Sequence, residues 1–398
     1  MTRQIQDAYI VSAIRTPVGK APRGVYRNTR PDDLLAHVLR EAIRLAPGVD
    51  THRIGDAIIG CAMPEAEQGM NVARIGVLLA GLPDSVPGMT VNRFCSSGLQ
   101  AVALAADRIR LGEADLMLAG GTESMSMVPM MGHKIAMNPA VFADDNVGIA
   151  YGMGITAEKV AERWKITRDQ QDAFALQSHQ RAIAAIAGGE FKDEISPVAL
   201  DDRYPDLGAR TITSDTRTID TDEGPRQDTS LEALGKLKPV FRAGGSVTAG
   251  NSSQMSDGAG AVLLAGEKVI KEYGWTPLAR FVGFAVAGVP PEIMGIGPKE
   301  AIPRVLKQTG MNKDQIDWIE LNEAFAAQSL AVMHDVGLDP AKVNPLGGAI
   351  ALGHPLGATG AIRSATVVHA LRRHNLKYGM VTMCVGTGQG AAGIFERV

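Results

Sequence analysis

The apolar positions of this chain follow two alternating periods. The run "AYIVSAIRTP" from residue 8 predicts a strand that opens into a loop. The runs "DAIIGCA" from 56 and "ADLMLAGG" from 114 have strand length and no polar face, as strands covered on both sides do. Between them "PDDLLAHVLREAIRLA" from 31 sets Leu34, Leu35, Val38, Leu39, Ala42 and Ile43 on one stripe of an amphipathic helix. Strands alternating with helices predict an α/β architecture.

The character changes between residues 125 and 254. "MSMVPMMGHKIAMNPA" is rich in methionine, proline and glycine. The pattern Thr167-x-x-Gln170 predicts a capping box, and the helix after it carries Phe174, Leu176, Ile183 and Ile186 as its apolar positions. "DEGPRQDTSLEALGKLKPVFRAGGSVTAGNSS" is polar and reads as loop. A stretch this long and irregular predicts an inserted binding surface.

The last third repeats the plan of the first. "RIGDAIIGCA" from 53 is echoed by "QIDWIELNEA" from 315, and "CSSGLQAVALAADRIR" from 95 by "HPLGATGAIRSATVVHALRR" from 354. The two echoes keep the same order and nearly the same offset, which predicts a duplication. Cys95 and His354 then sit at equivalent turns, where a pseudo-two-fold axis brings them together.

"TVNRFCSSGLQAV", residues 90–102, places Cys95 where a strand gives way to a helix. Backbone N–H groups and the helix dipole at such a turn favour thiolate, so the expectation is a thiol pKa below its usual value. Cys384 lies in "MCVGTGQGAA" beside alternating glycines. A dinucleotide loop is excluded there because no βαβ unit follows, and the glycines are read as backbone donors for an oxyanion. Asn322 closes a buried strand in "LNEAF", and His354 opens a helix from a glycine-rich loop. The other seven histidines lie in helical or polar contexts, and Cys61 reads as core. A cysteine nucleophile, a histidine base, a second cysteine and an asparagine form a set suited to acyl transfer. A cysteine hydrolase is the rival, but it has no use for the second cysteine.

Composition narrows the class. The chain has 398 residues, 45% hydrophobic and 21% charged, with a formal net charge of −3, and gives no electrostatic reason to expect nucleic acid or an anionic membrane. Three cysteines without C-x-x-C spacing predict neither a disulfide framework nor zinc, and no metal is expected. With no apolar run of membrane-spanning length and no apolar core in its first residues, the chain is expected to be cytoplasmic.

The ordered motifs "NRFCSSGLQA", "GMGITAE", "AGNSSQMSDGA", "NEAFA", "NPLGGAIALGHPLGATG" and "CVGTGQG" resemble those of the thiolases nearly end to end. "TAGNSSQMSDGA" and "PPEIMGIGP" are most similar to the degradative 3-ketoacyl-CoA branch. The resemblance implies two βαβαβαββ halves in a five-layer αβαβα arrangement. Residues 1–124 with 255–277 would form the first half, 278–398 the second, and 125–254 an inserted loop domain that binds CoA. It implies thiolytic cleavage of 3-ketoacyl-CoA to acetyl-CoA and a shortened acyl-CoA, with the alternatives of acetoacetyl-CoA synthesis or a non-catalytic acyl-CoA binder. By motif Cys95 is the nucleophile, His354 its base, Cys384 the second acid/base and Asn322 the holder of an oxyanion water. The backbone N–H groups of Cys95 and Gly386 are the donors to the tetrahedral oxyanion. Arg226, Leu237 and Ser253 would contact CoA, while Met153, Met294 and Phe325 shape the acyl pocket. Gly152 stands where short-chain members tend to carry histidine, leaving room for a longer chain. CoA enters as substrate with no permanent cofactor, and the assembly implied is a homodimer or homotetramer.

Overall fold

The computed structural model describes residues 5–398. Twelve strands are present among these residues: β1 (Ala8–Arg15), β2 (Gly19–Lys20), β3 (Ile54–Gly60), β4 (Gly88–Val91), β5 (Leu116–Ser124), β6 (Val198–Asp206), β7 (Thr211–Ile219), β8 (Ser256–Gly266), β9 (Ala279–Gly288), β10 (Trp318–Leu321), β11 (Tyr378–Val385) and β12 (Gln389–Glu396). The main sheet runs β10-β11-β12-β9-β1-β8-β5-β3-β4. Its order repeats outward from the middle. β1, β8, β5 and β3 on one side mirror β9, β12, β11 and β10 on the other, pairing in each case antiparallel, antiparallel, then parallel. Within the sheet the halves join through two paired positions of β1 and β9, Tyr9 with Arg280 and Ile10 with Ala279. The duplication expected from the sequence echoes is therefore present in the strand order.

Alternation along the strands builds the layers. Ile58, Met117, Val262 and Leu264 turn inward, while Ile59, Leu118 and Leu263 turn outward against Leu35 and Leu39 of the helix Pro31–Arg44. In the second half Ile319, Met380 and Ile394 meet Ile302 and Val305 of the helix Gly297–Thr309 in the same way. The inward faces of both halves close on two central helices, Ser97–Arg110 and Leu356–Arg373. The result is helix, sheet, paired helices, sheet, helix. The second central helix is buried at every residue from Leu356 to Val368.

The central helices touch backbone to backbone near their starts. A Cβ on Gly98 would lie 2.6 Å from the Ala361 nitrogen, and one on Gly360 would lie 2.1 Å from the Leu99 nitrogen. Neither position tolerates a side chain.

Two expectations for the middle block need correction. The helix Arg168–Ala187 has its capping box at Thr167, but it buries Gln171, Asp172, Ala175, Ser178, His179, Ala182 and Ala185. Phe174, Leu176, Ile183 and Ile186 are only half-buried. The buried face is small and polar because it engages partners: Ser178 donates to Glu323 at 2.6 Å, and Asp172 accepts from Asn251 at 2.9 Å. The irregular block also contains the hairpin β6–β7, whose strands pair over nine residues each. Most of its described positions are exposed, Tyr204 and Ile212 among them, so apolar alternation marks only its start, where Val198 and Leu200 are buried. No described helix is long and apolar enough to cross a membrane.

The glycine contact yields a prediction. Gly360→Ala gains up to about 1 kcal/mol of helix propensity but forces a methyl onto the facing backbone. Unfolding in denaturant should show a net loss of roughly 2 kcal/mol or more; unchanged or raised stability would contradict the packing described.

Candidate active site

β4 ends at Val91, a tight turn spans Phe94–Ser96, and the first central helix starts at Ser97. Phe94 has φ +42°, a left-handed conformation costly for a bulky residue, and it carries the chain straight into Cys95. At the equivalent turn of the second half, His354 precedes the other central helix. Its amide donates to Ser256 Oγ at 3.0 Å, and Met255 pairs with it across an isolated bridge. Cys95 packs with Leu356, Met125 and Ala62, so the two helix starts share one apolar cluster.

The His354 ring is held on both sides. Nδ1 lies 2.7 Å from Thr359 Oγ1, and Nε2 lies 3.3 Å from Asn322 Nδ2. An amide nitrogen only donates, so this orientation makes Nε2 an acceptor and leaves the proton on Nδ1, pointing to Thr359. Nε2 then carries no proton of its own and can take one in place of the Asn322 N–H. Asn322 is buried, with its Oδ1 free of any hydrogen-bond partner.

Burial dominates the electrostatics. It pushes the Cys95 thiol up to about 12, and the Gly386 backbone N–H, aimed at the sulfur, offsets only part of that. The expectation of a lowered thiol pKa fails because removing a charge from water outweighs a turn's worth of dipole. Burial, with the charge of Arg363 added, draws His354 down to about 3. Cys384 is fully buried and raised in the same direction, first by burial and then by the neighbouring Cys95. The resting pair is neutral thiol and neutral imidazole.

A cavity of about 940 Å³ opens over these groups. Cys95 and His354 line it, as do Met153, Met294, Phe325, Ser253, Leu237 and Arg226. Eight of the eleven residues singled out from the sequence thus share one cavity. Cys384, Asn322 and Gly386 are not in its lining. Cys384 packs directly behind the wall, against Met153, Met294 and Phe325. Gly386 lies in the three-residue turn between β11 and β12, a hairpin with no helix after it. Leu237 and Arg226 are at the exposed rim.

Sequence reasoning missed the carboxylates that hold these parts. Glu123, fully buried at the end of β5, accepts from Ala62 N at 2.7 Å, Met63 N at 3.1 Å, Gly357 N at 2.8 Å and the Gln68 side chain. It ties the first half to the first turn of the His354 helix. Glu323 accepts from Ser178, from Asn344 at 2.8 Å and from Ile350 N at 3.2 Å, anchoring the loop that leads to His354. Burial raises the pKa of both, and the hydrogen bonds pull against it. The available signal was an acid after an uninterrupted apolar strand, "LMLAGGTE", and another beside Asn322. Among the described residues no group of three or more His, Cys, Asp or Glu is arranged to hold a metal ion.

The raised thiol sets a measurable pH dependence. Below its pKa the thiolate fraction grows about tenfold per pH unit, so alkylation of Cys95 by iodoacetamide should keep accelerating about tenfold per unit from pH 8 to about pH 10. Levelling off at about pH 9, where an ordinary thiol of pKa about 8.5 is mostly ionised, or at lower pH would contradict the burial argument.

Residues 8–268 match the family described as "Thiolase, N-terminal domain", and residues 275–397 match "Thiolase, C-terminal domain". The chain is 51% identical over 393 residues to the 3-ketoacyl-CoA thiolase of Bacillus subtilis, covering 98% of this chain and 100% of that protein. It is 45% identical over 411 aligned positions to the 3-oxoadipyl-CoA/3-oxo-5,6-dehydrosuberyl-CoA thiolase of Escherichia coli, covering 99% and 100%. The crystal structure of the Bacillus anthracis acetyl-CoA acetyltransferase superposes with a TM-score of 0.89 at 38% identity, covering 100% of both chains. With both halves matched and relatives of equal length, this chain belongs to the thiolase family, and its five layers are the thiolase fold.

Proposed function

We propose that this protein cleaves 3-ketoacyl-CoA with CoA, giving acetyl-CoA and an acyl-CoA two carbons shorter, through an acyl group carried on Cys95. The observation that supports it best is Cys95 and His354 on one cavity wall with Cys384 packed directly behind it. Residues 125–254 act as an inserted domain that binds the carrier, with Arg226, Leu237 and Ser253 along its path.

The neutral resting pair dictates the order of events. Transferring the Cys95 proton to His354 in the empty site is steeply unfavourable, since burial opposes both charges. The proton moves as the sulfur attacks the 3-keto carbon, when negative charge passes to the carbonyl oxygen and meets the N–H groups of Cys95 and Gly386. Each such donor contributes about 3 kcal/mol to the transition state. Collapse breaks the C2–C3 bond and leaves the acetyl-CoA enolate, whose oxygen faces the now protonated His354 Nε2 and a water held by Asn322. Cys384 gives its proton to the enolate carbon and acetyl-CoA departs. Cys384 then takes the thiol proton of incoming CoA, whose sulfur attacks the acyl carbon; the Cys95 sulfur leaves and takes back its proton from His354 Nε2.

The family relatives carry both degradative and acetyl-transferring names, so condensation of two acetyl-CoA is the second reading. Chain length separates them. Gly152 lines the cavity and has nothing within 4 Å of its Cβ position, which favours a longer acyl chain. Thiolysis of 3-ketoacyl-CoAs from four to sixteen carbons should extend well beyond four; activity confined to four carbons would favour the second reading. Gly152→His fits the open space without cost to folding. It should lower kcat/KM for the sixteen-carbon substrate at least about tenfold relative to the four-carbon one, the loss of about 1.4 kcal/mol of binding. An unchanged ratio would remove Gly152 from the acyl path.

A further inference from the structure

One wall of the cavity carries a polar corner that the acyl-transfer chemistry does not use. His179 is 4% exposed, projects from the helix Arg168–Ala187 and lines the cavity. Its Nδ1 accepts the backbone N–H of Arg226 at 3.2 Å. A ring nitrogen that accepts carries no proton, so the proton lies on Nε2, and His179 presents a donor. Nε2 makes no hydrogen bond to any described residue. His179 lines the cavity, so a ligand or water there can supply the acceptor this N–H lacks.

Two cations flank that donor. Lys20, at the end of β2, lines the same cavity, and its ammonium has no hydrogen-bond or ion-pair partner among the described residues. Arg226 lies beside it, with Asp228 on its guanidinium at 3.5 Å. The other nearby acid, Glu223, is turned to the backbone N–H groups of Lys20 and Val25, at 2.8 and 3.0 Å. Burial and then the charges of Arg226 and Lys20 draw the His179 pKa down to about 4, which keeps the ring neutral. The corner therefore offers an imidazole N–H and an ammonium, both donors, while the nearby acids are already engaged, Asp228 by Arg226 and Glu223 by backbone N–H groups. An acceptor oxygen that bears negative charge satisfies every one of these groups; a cation or a donor satisfies none.

We propose that His179 and Lys20 form a specificity subsite for an anionic oxygen of the bound thioester, with His179 Nε2–H and the Lys20 ammonium as its donors. This rests on the acyl-CoA reading of the cavity. The same chemistry has two sources, a phosphoryl oxygen of the carrier or a carboxylate at the far end of the acyl chain. Charge-assisted hydrogen bonds of this kind are the strong ones.

The test compares kcat and KM of wild type, Lys20→Met, His179→Leu and His179→Gln on three matched substrates: a 3-ketoacyl-CoA, its pantetheine counterpart without phosphate, and a 3-ketoacyl-CoA ending in a carboxylate. Loss of one charged donor should raise KM about tenfold with little change in kcat. His179→Gln, which keeps an N–H near the Nε2 position, should retain more than His179→Leu. A loss on both CoA substrates that vanishes with the pantetheine one supports the subsite and assigns it to the carrier phosphate. A loss confined to the carboxylate substrate supports it and assigns it to the acyl end. Equal losses on all three substrates, or none, would overturn it. Lys20 is at the rim of the cavity, so Lys20→Met gives a result even if the buried His179 variants fold poorly. If wild type shows no thiolysis, calorimetry of CoA and pantetheine binding to the same variants still tests the subsite, separately from the reaction.

Discussion

The arrangement of the site depends on the backbone contact between the two central helices. Gly98 against Ala361 and Gly360 against Leu99 bring the helix starts within a distance that one methyl group would abolish. Dispersion attraction and apolar burial are greatest where backbones approach this closely, and the helices are enclosed by two sheets that leave them no alternative seat. Because the helices are duplicates, closing this contact sets the turn before each one against the other. Cys95 and His354 line one cavity for that reason. A geometry on which proton transfer depends is fixed by backbone packing in the first turns of the two helices, just past the sulfur and the imidazole.

Burial then decides the chemistry's timing. The interior that positions the two groups also strips them of water, and both are held neutral until a substrate arrives. Charge is confined to places that can answer it. Glu123 and Glu323 sit fully buried, each surrounded by donors from distant segments, and they join the strand ends to the His354 loop. Removing a partner from such a carboxylate leaves an uncompensated charge, which makes these joints rigid rather than merely stabilising. Reactive groups are thus kept uncharged, while the scaffold beneath them is held by charge.

Much of this was legible from the residues. Alternation of apolar runs identified β1, β3 and β5, the amphipathic stripe identified the helix Pro31–Arg44, and the echo between "CSSG" and "HPLG" announced the pair of central helices. Local chemistry was less legible where polar groups are buried. The helix Arg168–Ala187 buries Gln171, Asp172, Ser178 and His179, which an apolar periodicity reads as a solvent face. The hairpin β6–β7 alternates only at Val198 and Leu200 because most of the rest faces water. The thiol's direction of shift was misjudged for a related reason. A helix start is visible in sequence, whereas the depth of burial that opposes it depends on segments hundreds of residues away. Glu123, Thr359 and Ser256 likewise matter only through partners that folding supplies.

The central claim is that one sulfur carries the transferred fragment and that the duplicated turn opposite it takes the proton. Peptide-mapping mass spectrometry after brief exposure to acetyl-CoA tests this most directly. An acetyl group on the peptide containing Cys95, absent in Cys95→Ser and formed far more slowly in His354→Ala, is the predicted result. Acetylation at Cys384 or Cys61 with Cys95 unmodified, or a rate indifferent to His354, would contradict it.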